Sequence, residues 1–497
     1  MLTEIRTRSQ ARLSELSRAY FMHHAGFSHE PGMAAIVRRY DDLLAPTVQD
    51  AIRQAWESAT DPVEKQQLGY LYGDCLRNVL RRDLAEPGDA LGKAEAKAEV
   101  AFEGERISYP QASMAIGRTA DRAKRKALAA ATREVTAALN APRVALLEAE
   151  HQLIMGEVGF PSYEAFYKMV RGLDFAGLGP ELERFLADTA ELYHRMMGEW
   201  SQEVFGLPHT ELESHDLVFL RRAASFDQYF PGDKLVPTLQ ATLRDLGINP
   251  EGLTNVTMDL DNRPGKSSRA FCMGVRIPEE VYLCITPGGG ADDYQSLLHE
   301  MGHALHFGHA DAEMPFEFRF MGDNSVCEGF AFNFEHLTLE PAWLKAHTGM
   351  DDQAIADYRR HMYRLYLFNL RRFAAKHLFE LQLHDGGPVA DKGAIYAGLL
   401  TEHLGVRYFA EDFLAGTDGG FYTAQYFRAW CLESQLKRVL KSRFGDAWFQ
   451  NAEAGAFMRD LWRRGQSLPG DELVRQVVGE ELSAHPVMDE ISAVLAG

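Results

Sequence analysis

A mainly α-helical fold with one small β-sheet is predicted by three observations. Residues 1 to 204 are rich in Ala, Leu, Glu, Arg and Lys, with apolar residues at helical spacing. Short β-branched and aromatic runs appear between about residues 254 and 287. Helical patterning resumes at residue 292 and dominates to the end. The chain has 497 residues, 46% apolar and 25% charged, the make-up of a globular protein with room for more than one core. We therefore expect a helical N-terminal lobe over 1–204 and a second region over 205–497 that holds the sheet.

In the first lobe, amphipathic helices are expected near 33–58, 62–83, 112–139 and 178–204. Breaks are expected at Glu86-Pro87-Gly88, Tyr109-Pro110 and Phe160-Pro161. The sheet is expected from Asn255–Leu260, Arg269–Val275 and Val281–Thr286. The run DNRPGKSS between the first two reads as an exposed turn. Its Gly265-Lys266-Ser267 looks like the end of a phosphate loop, but Leu260 stands where the first glycine is needed. Asp259 and Asp261 fail as a calcium loop because Arg263 occupies the third ligand position. Glycine-rich interruptions at 288–290, 386–387 and 416–420 punctuate the rest.

The formal net charge of −19 carries no basic footprint, so nucleic acid is not an expected partner. The first twenty residues carry charges every few positions, and no apolar run approaches about 18 residues. Neither a signal peptide nor a membrane span is expected. Five cysteines, an odd number without C-x-x-C, point to reduced thiols in a cytoplasmic protein.

The chemistry is concentrated in ADDYQSLLHEMGHALHFGHA, residues 291–310. Asp292 or Asp293 is expected to cap a helix whose buried faces carry Leu297, Leu298, Met301 and Leu305. His299 and His303 are four residues apart, on one face, with Cβ atoms roughly 5–6 Å apart. That spacing lets both imidazoles reach one Zn²⁺ at about 2.0–2.1 Å. Glu300 is rotated by about 100° from His299, beside the attacking water, and suits a general base.

Two sources compete for the third ligand. A metzincin would use His309, but its turn glycine is replaced by His306 and Gly308 comes two residues late. The alternative is Glu328, 25 residues after His303 on a helix opened by Asp323-Asn324-Ser325. Its neighbour Cys327 is a further candidate thiolate ligand. Glu335, seven residues on from Glu328, could hold a ligand histidine's second nitrogen. Such a His₂Glu set also accepts Co or Mn.

HEMGHALH, with a glutamate about two dozen residues later in VCEGFAFNFE, resembles the thimet oligopeptidase and oligopeptidase F family of zinc metallopeptidases. AFCMGVRIPEEVYLCITPGGGADDYQSLLHE resembles its approach to the motif, GFYTAQYFRAW its tyrosine-bearing loop and helix, and FMRDLWRRGQSLPGDELVRQVVGEELSAHP its C-terminal segment. The likeness covers roughly residues 255 to 485. It implies a prolate, multi-helix zincin fold with a deep central channel and a small sheet beside the zinc helix. It implies one Zn²⁺ on His299, His303 and Glu328, Glu300 as base, and Tyr426 and Tyr422 as oxyanion donors, with His403 in reserve. Val281–Thr286 would be the sheet edge that receives an extended peptide. The chain departs from the pattern at Phe413, where the family has histidine, and at Ala429, where it has a third tyrosine.

The implied activity is hydrolysis of short peptides. A carboxypeptidase or dipeptidyl carboxypeptidase is the alternative, with Arg428 or Arg407 gripping the substrate's free carboxylate. A non-catalytic zinc- or peptide-binding protein is the third possibility.

Overall fold

The protein, described by a computed structural model over residues 1–30 and 32–496, is mainly α-helical, with a three-stranded sheet and a separate two-stranded hairpin. No helix among the described residues is long and apolar enough to cross a membrane. The chain groups into two compact units. The first is Met1–Leu76, Ala224–Arg359 and Arg428–Glu490; the second is Arg77–Ala223, Arg360–Phe427 and Ile491–Gly497. Each draws on residues from both sides of position 205, so the grouping does not follow the sequential division at 204.

Proline placement explains where the helices differ from expectation. The 33–58 segment is two helices, Met33–Arg39 and Pro46–Ser58, because Pro46 lacks an N–H and opens a new helix at its first position. The expected break at Glu86-Pro87-Gly88 is instead the first turn of a helix, Ala85–Lys97. Pro87 is tolerated there because the N–H it lacks would have no partner within the helix. Residues 112–139 divide between Tyr109–Arg118 and Arg122–Gly156, the second capped by Asp121, which accepts from the Lys124 amide.

The sequence reading missed one element, the hairpin of β1 (Glu99–Phe102) and β2 (Glu105–Ser108). Its turn residues Glu103 and Gly104 have φ of 50° and 84°, as a type I′ turn requires. Glutamate is a poor signal for that conformation; asparagine or aspartate before glycine would have announced it. Val100 buries the hairpin against Ala112 and Leu128.

The three-stranded sheet comprises β3 (Val256–Asp259), β4 (Phe271–Arg276) and β5 (Glu280–Cys284), each within a few residues of its expected place. The spatial order is β3-β5-β4, with β3 parallel and β4 antiparallel to β5. This corrects the expectation for Val281–Thr286. β5 is the central strand, its backbone paired on both sides, so the edges are β3 and β4. Phe21 of the first helix, Leu2–His24, and Ala25 just past its end pack with Cys284, Phe271 and Tyr282 in a common cluster.

The DNRPGKSS turn is clamped rather than loose. The Lys266 side chain is 1% exposed. Its Nζ donates to the Asp259 and Ile285 carbonyls at 2.9 and 3.0 Å and to the Asp261 carbonyl at 2.7 Å. Burial alone would raise the Asp259 pKa, but hydrogen bonds from Arg263 and Lys266 outweigh it and hold the carboxyl below its ordinary range. Lys266→Met should therefore cost about 2–4 kcal/mol in urea unfolding, since it removes a cation from the buried Asp259 carboxylate and a donor from the Ile285 carbonyl. An unchanged midpoint would show the clamp to be dispensable.

Candidate metal centre

The His299 helix runs from Ala291 to Gly308. Its N-cap is Gly290 (φ 95°), not Asp292 or Asp293. Asp227 supplies the missing cap from outside, accepting from the Ala291 amide at 3.2 Å. Asp293 instead folds back to accept from the Gly288 and Gly289 amides at 2.6 and 2.7 Å. Leu297, Leu298, Met301 and Leu305 are buried as expected.

The Glu328 helix, Asn324–Glu335, is capped by Asp323, which accepts from the Ser325 amide at 2.9 Å. It crosses the His299 helix with almost no gap. A Cβ placed on Gly302 would lie 2.6 Å from Ala331 Cα and 2.9 Å from the Phe330 carbonyl. This crossing sets Glu328 over the two histidines. Among the described residues, His299, His303 and Glu328 offer ligand atoms that all lie within 4.8 Å of one another. Glu328 Oε2 is 3.4 Å from His299 Nε2 and 3.7 Å from His303 Nε2. Ligands held about 2.0–2.1 Å from one tetrahedral ion are spaced by roughly 3.3 Å, so the donor set fits a divalent metal with little adjustment.

Both imidazoles are oriented from behind. Glu335 Oε2 lies 2.7 Å from His299 Nδ1, and Cys327 Sγ lies 3.2 Å from His303 Nδ1. Each ring therefore turns Nε2 toward Glu328. Cys327 stands on the Nδ1 side, which places it behind His303 rather than among the three ligand atoms. Burial would lower the His299 pKa, but hydrogen bonds to Glu328 and Glu335 win and raise it well above the usual histidine value. Burial, reinforced by the charge on His299, pushes His303 down to about 3 despite Glu328.

A metal arriving here must displace the His299 proton. Its affinity should fall as pH drops, with protons released on binding. Glu335→Gln removes the carboxylate that orients His299 and should weaken metal affinity about 10–100-fold. Titration in two buffers of different ionisation heat would measure both, and pH-independent affinity would contradict the assignment of the proton.

Glu300 follows His299 and turns toward the sheet, where the Cys272 backbone amide donates to its carboxylate. Burial raises its pKa to about 7; His299 opposes this and Glu328 adds to it. A nearby dication would draw the value down again.

The other histidines face elsewhere. His306 Nε2 donates to the Gly465 carbonyl at 3.1 Å, and His309 packs on Trp462 with Nδ1 2.9 Å from the Leu305 carbonyl. Arg428 donates to Asp471 at 2.6 Å, and Arg407 is exposed and lies over Phe409. Tyr422 and Tyr426 belong to the second unit, edge-to-face at 4.9 Å, with Tyr426 stacked on Phe373. Phe413 and Ala429 are buried. Gly302, Asp227, the Cys272 amide and the placement of Cys327 behind His303 had escaped sequence reasoning. The Gly between Glu300 and His303 was the one visible signal, since a helix interior tolerates glycine mainly where another backbone comes close. No protein-family model matches this chain, and no curated protein matches it.

Proposed function

We propose that this protein is a zinc-dependent peptidase that hydrolyses short peptides, of the thimet oligopeptidase and oligopeptidase F kind, with the channelled zincin fold of that family. One observation carries the proposal: two imidazoles and a carboxylate from separate helices converge, with a second carboxylate one residue along. A divalent ion bound there would polarise the scissile carbonyl and acidify a water toward a pKa of about 7. His299 and His303 would hold it through Nε2, and Glu328 through Oε2. Glu300 takes the proton of the attacking water and returns it to the leaving amine.

The ligand side chains keep part of their surface, 15% for His299 and 12% for His303. That supports a catalytic site with an open position over a closed structural one. Five free cysteines support a reducing, cytoplasmic setting. The engagement of Arg428 by Asp471 counts against one of the two candidate grips on a substrate's C-terminus.

The test pairs metal analysis with product mapping on quenched short peptides. We expect close to one zinc per chain, activity lost to a chelator and restored by zinc, and equal cleavage of free and amidated C-termini. A metal-loaded chain that cuts no peptide in a diverse pool would refute the proposal; cleavage of free C-termini alone would move it to a carboxypeptidase.

A further inference from the structure

The second unit contains a cavity of about 320 Å³ that plays no part in the metal centre. Its lining includes three arginines, Arg133, Arg221 and Arg372, against one acidic side chain, Asp412. On a chain with a net charge of −19, three guanidinium groups around one hollow are a local reversal of sign. A concave, partly desolvated site concentrates such a potential and attracts anions.

Two of the three arginines are held in place by the aromatic residues around them. The Arg133 guanidinium carbon sits over Phe409, 3.2 Å from the ring centroid, and its buried Nε has no hydrogen-bond partner. Stacking of that kind fixes the plane of the fork while leaving its edge donors available. Arg372 lies close to Tyr408 in the same wall and supplies a second fork. Arg221 is exposed.

His215 also lines the cavity, is 3% exposed, and has no hydrogen-bond partner on either ring nitrogen. The nearest carboxylates, Glu213 and Asp216, stand 3.5 and 3.4 Å from it, and both are committed to other cations. Lys126 pairs with Glu213, and Arg122 and Arg125 pair with Asp216. The His215 ring thus adds a buried polar group to the cavity wall without a hydrogen bond that fixes it. The remaining wall is apolar, with Ile116, Leu217 and Phe368.

We propose that this cavity binds a small organic oxyanion, its phosphate or carboxylate head held by Arg133, Arg221 and Arg372 and its apolar body laid against Ile116, Leu217 and Phe368. Guanidinium forks match the two-oxygen edge of either head. The inference does not depend on the peptidase chemistry.

Calorimetric titration of the full chain, metal-loaded, tests it with phenyl phosphate, phenylacetate, inorganic phosphate and the neutral benzyl alcohol. At least one aryl anion should bind one-to-one, at least about tenfold tighter than benzyl alcohol, and which one does so identifies the head group. Aryl phosphate binding tighter than inorganic phosphate would confirm the apolar wall. Arg372→Gln and Arg133→Gln should each weaken binding about tenfold or more. Arg221→Gln, at an exposed position, should weaken it as well. The proposal is overturned if neither aryl anion binds at about 10 mM, a very weak affinity. It also fails if all three variants bind like the wild type, or if chelation abolishes binding, which would put the anion on the metal.

Discussion

Glu300→Gln should leave metal content unchanged while peptide hydrolysis falls by at least about 10²–10⁴-fold, the usual worth of a positioned general base. The substitution is nearly isosteric, and glutamine can still accept from the Cys272 amide that positions Glu300. What disappears is the capacity to take a proton. Because Glu300 is not one of the three converging ligand atoms, metal retention and turnover separate cleanly in this variant. A loss in kcat with KM little changed is expected, since the proton transfer belongs to the transition state rather than to substrate binding. Full activity in Glu300→Gln would remove the proposed base. Loss of metal would show that Glu300 is a ligand and that the roles of the carboxylates are misassigned.

The parts of the site that sequence made legible are those set by local periodicity. His299 and His303 share a face because a helix repeats every 3.6 residues, and Glu335 lies two turns beyond Glu328 for the same reason. Asp323 is a cap because its carboxylate can reach the Ser325 amide within its own turn. The strands announced themselves by β-branched runs. What escaped is non-local. The cap of the His299 helix comes from Asp227, 64 residues upstream in a different segment. Nothing within Val281–Thr286 says that both its edges are taken, because that depends on where β3 and β4 return. The discontinuous units escaped for the same reason. Glu103-Gly104 and Pro87 were missed differently, as local signals whose usual meaning the context reversed.

Gly302→Ala should destabilise the first unit and loosen the metal centre, and the sign of its effect is what makes it informative. In an exposed helix interior, glycine to alanine stabilises by roughly 0.5–1 kcal/mol, because alanine restricts the unfolded chain and favours the helix. Gly398 is such a position: it is helical and exposed, and an added Cβ meets nothing within 4 Å. At Gly302 the new methyl meets backbone, Ala331 Cα at 2.6 Å and the Phe330 and Ala331 carbonyls at 2.9 and 3.2 Å, which no rotamer change can relieve. The Glu328 helix cannot simply retreat, since on its other side Gly329 already lies where a Cβ would be 2.6 Å from Leu432. Overpacking of this kind costs about 1–3 kcal/mol, and here it acts between two main chains. The helices must separate by a good fraction of an ångström, which carries Glu328 away from His299 and His303. Metal affinity should fall by at least about tenfold, because ligand distances are tolerated only to about 0.2 Å. Thermal unfolding and metal titration of Gly302→Ala beside Gly398→Ala measure both effects. If the two variants are equally stable and bind metal equally, the close crossing is not what holds the carboxylate over the imidazoles.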